Sequence, residues 1–150
     1  MPVVNEDFVA LYLDGRLPPD EYALVEAYCP DPTCDCRRVM INVVGRQQMA
    51  RGFLAVIGFG FDRRAVNAGP YLDPLNFQSE YAPQLFDLVV IHALSQPDYV
   101  ARLKVHYAQI KQVASTPGHP QRRLLREATR GMDIPMERPS RRGRSRKRRR

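Results

Sequence analysis

The sequence lacks a hydrophobic run long enough to cross a bilayer. Its longest uncharged apolar run, Phe53 to Phe61, has nine residues, whereas a transmembrane helix needs about 20. The opening residues, MPVVNEDFVALYLDG, carry acidic side chains where a secretory signal carries basic ones. We therefore expect a cytoplasmic protein with no membrane partner, in a compartment where thiols stay reduced.

The sequence also lacks the motifs of several common enzyme classes. Gly58-Phe59-Gly60 is not followed by the third glycine of a dinucleotide-binding fingerprint, and no βαβ pattern surrounds it. The chain has neither a serine nucleophile elbow nor a Walker loop. These absences leave open whether the protein is an enzyme.

Basic residues are scarce in most of the chain and concentrated at its end. Residues 1–114 carry 10 Lys and Arg against 13 Asp and Glu, a net charge of −3. Residues 115–150 carry 13 basic and 3 acidic residues, a net charge of +10. The pattern predicts a mildly acidic domain over residues 1–115 and a basic, largely disordered tail over residues 116–150.

Within the domain, the hydrophobic periodicity predicts an α+β fold. We expect a short N-terminal helix over Asn5 to Gly15 and a small antiparallel three-stranded sheet. A two-helix hairpin should pack on that sheet. The predicted strands are residues 21–29, for which a short helix is the alternative, 37–45 and 53–61, and the predicted helices are residues 79–94 and 97–114. Residues 62–78, with Gly69, Pro70 and Pro74, read as a loop. Two glycines on one face of the third strand, Gly58 and Gly60, indicate a bulge or a close approach of another backbone.

All three cysteines lie within eight residues, in the segment CPDPTCDC. Cys29, Cys34 and Cys36 on one proline-stiffened turn are typical of a metal site in a reducing compartment, and zinc is the expected ion. Two alternatives remain: small cysteines that line a turn beside the core, and redox chemistry between Cys34 and Cys36.

A structural zinc site needs a fourth ligand. The candidates are the three histidines, of which we favour His106 because it lies on the apolar stripe of the second helix; His92 and His119 are the others. If water took that position, the site would resemble a catalytic one. Its general base would then come from Asp31, Asp35 or Glu26.

The tail predicts strong, largely sequence-independent binding to RNA or DNA, because dense arginines neutralise phosphates and release counterions. A solubilising tail, a nuclear-localisation signal and attraction to acidic proteins are the alternatives. The predicted nucleic-acid-binding residues are Arg141, Arg142, Arg144, Arg146, Lys147, Arg148, Arg149 and Arg150.

The sequence thus favours a non-enzymatic, metal-stabilised binding module with a nucleic-acid or ribonucleoprotein partner. The alternative is a metal-dependent or thiol-based enzyme that uses the three cysteines with an open coordination position. No feature of the sequence indicates the oligomeric state.

The segments YCPDPTCDCRRVMINV, YLDPLNFQSEYAPQLFDLVV and PDYVARLKVHYAQIK together resemble small bacterial proteins with a Cys-Pro-Asp-Pro-x-Cys-Asp-Cys knuckle. The resemblance covers roughly residues 20–112 and leaves out the basic tail. It implies no particular activity.

Overall fold

Antiparallel strands lie in the sheet in the same order as in the chain. A computed structural model describes residues 3–4 and 17–125 of the protein. The strands of these residues are β1 (Val3–Val4), β2 (Tyr22–Ala27), β3 (Arg38–Gly45), β4 (Ala55–Gly60) and β5 (Gly69–Leu72). The predicted helix over residues 5–15 lies outside the described residues, as does most of the predicted tail.

The three central strands confirm the sequence prediction. Their alternating apolar residues share one face of the sheet, and the antiparallel register places Leu24 opposite Val43 and Ile41 opposite Ile57. These four side chains are fully buried. The core face of the sheet thus follows the period-2 spacing of a strand.

The prediction of three strands was wrong at the edge of the sheet. β5 lies inside the segment predicted as a loop, where its Pro70 pairs with Phe59 of β4. Pro70 has no N–H to donate, and proline is therefore confined to positions such as an edge strand. Gly69, with φ 70°, precedes it and turns the chain into the strand. These two residues, normally strand breakers, explain why the segment resembled a loop.

Two helices pack on the sheet, as predicted. α1 (Ala82–Val89) continues through a π-helical turn, Val90–Leu94, and α2 spans Pro97–Ser115. α1 contacts β4 and β5, and α2 contacts β3. Leu85 and Leu88 of α1 and Leu103 of α2 complete the core.

α2 has two parts with different partners. Tyr99 and Leu103, in its first half, are buried in the core. After Leu103 the apolar stripe continues with His106, Ile110 and Val113, but these residues are only half-buried. The second half of α2 lies instead over the connection between β2 and β3, which contains the cysteines.

Both glycines of β4 allow close contacts, but only Gly60 faces the backbone of another segment. A Cβ at Gly60 would overlap the backbone carbonyl of Asn67, and a Cβ at Gly58 would overlap the ring of Tyr71. Tyr71 is the partner of Gly58 in the β4–β5 register. The loop between β4 and β5 can therefore lie directly against the sheet.

We expect Gly60→Ala to destabilise the protein by about 2–3 kcal/mol, because the added methyl group must displace a backbone. Gly58→Ala should cost less, about 1 kcal/mol, because the Tyr71 side chain can rotate away. Urea unfolding of both variants tests this prediction. Equal losses of stability would show that the close approach of the Asn67 backbone does not constrain the fold.

Candidate metal centre

The three cysteines lie on the connection between β2 and β3, residues 28–37, which we call the cysteine loop. The sulfur atoms of Cys29, Cys34 and Cys36 all lie within 4.8 Å of one another, and each residue is partly exposed. The three thiols are free. The sequence prediction that these residues form one cluster is therefore matched by the geometry.

A tight turn inside the cysteine loop brings the thiols together. The Asp31 carboxylate accepts hydrogen bonds from the backbone N–H of Thr33 at 2.8 Å and from its hydroxyl at 2.7 Å. The N–H of Cys34 donates to the carbonyl of Asp31 at 3.3 Å. An Asp side chain that bonds its own backbone two residues ahead stabilises such a turn locally. This turn reverses the chain between Cys29 and Cys34.

α2 fastens the cysteine loop to the domain. The ammonium group of Lys111 donates to the carbonyls of Asp31 and Cys34, both at 2.7 Å. The backbone N–H of Arg37 donates to the hydroxyl of Tyr107 at 3.2 Å. Lys111 also lies 5.5 Å from the centroid of the Tyr107 ring. One face of α2 therefore holds both ends of the thiol-bearing turn.

The loop between β4 and β5 supports the cysteine loop from another side. Asn67 Nδ2 donates to the carbonyl of Cys36 at 3.4 Å, and the N–H of Phe61 donates to the carbonyl of Arg37 at 2.7 Å. Arg37 has φ 43°, an uncommon conformation for a residue with a side chain. These contacts hold it in that conformation. The cluster thus has a well-defined backbone support.

The surroundings of the thiols shift the pKa values of Cys29 and Cys34 in opposite directions. Burial by itself would raise the pKa of Cys29, but hydrogen bonds from the Asp31 backbone and Cys34, together with the charge of Lys111, lower it below its ordinary value. Hydrogen bonding to Cys36 and Cys29 raises the pKa of Cys34. The loop therefore favours the thiolate, the form that binds metals, at Cys29 over Cys34.

The two aspartates of the loop have structural partners. Hydrogen bonds from Thr33 lower the pKa of Asp31. The guanidinium of Arg37, 2.9 Å from the carboxylate of Asp35, lowers the pKa of Asp35. Both carboxylates are thus kept ionised for local structure. Neither lies within the group of candidate ligands formed by the described residues.

His106 lies on α2 opposite the end of β2. Its Nδ1 is 2.6 Å from Oε2 of Glu26, whose side chain is only 7% exposed. The hydroxyl of Tyr28 donates to the same carboxylate oxygen at 2.8 Å. His106 is not within the group of candidate ligands formed by the described residues. Its role as a fourth ligand stays a prediction.

The other histidines are also separate from the thiol group in the described part of the chain. His119 Nδ1 accepts a hydrogen bond from the N–H of Gln121 at 3.1 Å. His92 lies in the π-helical turn that follows α1. The eight basic residues from Arg141 to Arg150 lie outside the described residues.

Sequence reasoning missed Lys111 and the partner of Glu26. Tyr107 and Lys111 are four residues apart and therefore share a helix face, but no local pattern shows that this face meets the cysteine loop. For Glu26, the sequence does indicate that the side chain needs a partner. It shares a strand face with Tyr22 and Leu24, and a buried carboxylate needs a partner.

No family model, curated protein or solved structure matches this chain. Among the described residues, no helix has both the length and the apolar character needed to cross a membrane.

Two tyrosines near Glu26, the partly buried Tyr28 and the buried Tyr99, differ in whether the hydroxyl has a hydrogen-bond partner. Burial, reinforced by Glu26, raises the pKa of Tyr28 and of Tyr99, which keeps both phenols neutral. The hydroxyl of Tyr28 bonds to Glu26 and lies 3.2 Å from the carbonyl of Leu103. The hydroxyl of Tyr99 is buried without a hydrogen-bond partner among the described residues.

We expect Tyr28→Phe to lower the free energy of unfolding by about 1–3 kcal/mol, because it removes bonds to a buried carboxylate. Tyr99→Phe should leave it unchanged or raise it by up to about 1 kcal/mol, because a desolvated hydroxyl is removed. Denaturant unfolding at neutral pH measures both effects. A larger loss in Tyr99→Phe than in Tyr28→Phe would contradict this description of the site.

Proposed function

We propose that the protein is a zinc-stabilised, non-enzymatic binding module whose basic tail binds nucleic acid. Cys29, Cys34 and Cys36 are the proposed zinc ligands. The observation that carries the proposal is that the three sulfurs lie within 4.8 Å of one another, on a loop that Lys111 holds through two carbonyls.

The chemistry of the cluster fits zinc. Thiolates are soft ligands that favour Zn²⁺, and structural zinc sites combine Cys with His in sets of four. The charge of Lys111 would offset part of the negative charge of three thiolates. Zinc would cross-link the cysteine loop and so contribute to the folding free energy. The fourth position would be taken by His106, another residue or water.

The nucleic-acid part of the proposal rests on charge. Eight of the last ten residues are Arg or Lys. Such a segment neutralises phosphates without reading bases. No Phe, Tyr or Trp follows Tyr107, so the tail has none of the large aromatic rings that stack on bases in sequence-reading domains. The expected binding is therefore salt-dependent and tolerant of sequence.

A metal-dependent or thiol-based enzyme is the second candidate. The observation that favours it is the number of thiols, since three protein ligands leave one position open, as in catalytic zinc sites. Against it, Asp31 and Asp35 are occupied by Thr33 and Arg37. Oε2 of Glu26 is bonded to His106 and Tyr28, whereas its buried Oε1 has no partner among the described residues. The candidate general bases thus have structural partners, which favours the binding module.

Protein purified after expression with zinc supplied should contain about one equivalent of zinc, measured by elemental analysis. Removal of the metal by a chelator should lower the melting temperature by more than about 5 °C, because the cross-link of the cysteine loop is lost. In the variant Cys29→Ser/Cys34→Ser/Cys36→Ser, the chelator should have no effect on the melting temperature.

Less than about a tenth of an equivalent of zinc in the native protein would contradict the ligand assignment. This outcome depends on the native chain alone, so it stands even if the serine variant fails to fold. Loss of a turnover activity on chelation, with the melting temperature unchanged, would favour the enzyme.

Replacing all eight basic residues between Arg141 and Arg150 by Gln should greatly weaken binding to single-stranded RNA. The slope of log Kobs against log salt concentration should become less steep by about 0.7 for each phosphate that the tail no longer neutralises. Fluorescence anisotropy with a labelled oligouridylate measures this. Unchanged affinity and slope would exclude the tail as the binding segment.

A further inference from the structure

The two ends of the sheet differ in how their arginines are neutralised. β3 runs from Arg38, beside the cysteine loop, to Gly45, about 23 Å away; we call these the cysteine end and the far end. At the far end, Arg46 pairs with Glu21 at 2.8 Å and Arg51 pairs with Glu80 at 2.7 Å. Each of these two guanidinium groups has a carboxylate partner.

The cysteine end carries exposed arginines without such partners. Arg38, Arg63 and Arg64 are exposed, and none of them forms an ion pair with a carboxylate of the described residues. Arg38 donates instead to the hydroxyl of Tyr71 at 3.2 Å. The local carboxylates, Asp35 and Asp62, lie 2.9 and 3.9 Å from Arg37.

The fold brings these three arginines to the same end of the sheet. Arg38 is the register partner of Gly60, the last residue of β4. Arg63 and Arg64 follow in the turn after β4, where the N–H of Arg64 donates to the Asp62 carboxylate at 3.0 Å. The bond from Asn67 to Cys36 holds that turn against the cysteine loop. We call Arg38, Arg63 and Arg64 the arginine patch.

The basic tail starts from the same end of the domain. Lys111 contacts the cysteine loop, and α2 ends only four residues later, at Ser115. The 25 residues from 126 to 150 can extend at most about 90 Å. A ligand held by the patch is therefore within reach of the tail, and binding at one site raises the effective concentration at the other.

We propose that the arginine patch binds phosphates of the same single-stranded nucleic acid that the tail binds. The inference rests on the proposed function and assigns the folded domain a direct part in it. Guanidinium groups suit this ligand because they bind phosphates through two parallel hydrogen bonds and stack on unpaired bases. The patch thereby fixes where the strand enters the domain, whereas the tail supplies sequence-independent affinity.

The test compares variants of the full-length chain that remove charge at the two ends of the sheet. Arg63→Gln/Arg64→Gln removes two charges from the patch, and Arg46→Gln/Arg51→Gln removes two from the far end. A third variant adds Arg38→Gln to the patch pair. All five side chains are exposed, so the substitutions should leave the fold intact. Zinc content and the unfolding midpoint check that each variant is folded.

Binding of a labelled oligouridylate is measured by anisotropy from 0.05 to 0.5 M salt. The triple patch variant should reduce the slope of log Kobs against log salt by about 2, which corresponds to three phosphates at about 0.7 each. Over this tenfold range of salt, the native protein then loses about a hundredfold more affinity than the variant. The far-end variant should keep the native slope.

Equal slopes for the native, patch and far-end proteins would overturn the proposal. If neutralising Arg141 to Arg150 still abolishes binding in that case, the proposed function stands and only the patch is excluded. Loss of binding in the patch variant, with full binding after tail neutralisation, would support the patch and exclude the tail. Patch variants that lose binding to phosphatidylserine vesicles but not to RNA would overturn the proposal in favour of a membrane surface.

Discussion

The candidate site depends on one charged contact between a helix and a loop. The cysteine loop has no core of its own, since half of its residues are exposed and none is buried, and a loop of this kind is expected to be mobile. Lys111 removes that freedom by binding the carbonyls of Asp31 and Cys34 at once. Two charge-assisted hydrogen bonds from one ammonium group fix the turn on which the sulfurs converge.

This contact is possible because α2 is already anchored elsewhere. Its first half is packed into the core through Tyr99 and Leu103. One turn further on, His106 meets the buried carboxylate of Glu26. Burial of that carboxylate would be costly without His106 and Tyr28 as partners. The pair therefore locates α2 relative to β2, and the position of Lys111 over the cysteine loop follows from it.

Local patterns predicted much of this structure. Alternation in β2, β3 and β4 and the 3.6-residue period of the helices identified the elements and most core residues, because burial of one face imposes that spacing. β5 was missed because Gly69 and Pro70 disfavour most strands, whereas an edge strand tolerates them. The partners of the cysteine loop were missed because contacts such as Lys111 with Cys34 join residues 77 positions apart.

Three properties follow from the amino-acid sequence alone: an α+β fold, a cluster of three thiols and the basic composition of residues 115–150. Each depends on composition or on spacing along the chain, which needs no knowledge of distant contacts. The three-dimensional arrangement was needed to show which helix face meets the cysteine loop, that His106 meets Glu26, and that Arg38 pairs with Gly60, just before the turn with Arg63 and Arg64. Strand register and helix packing set these distances, and both result from the collapse of the whole core.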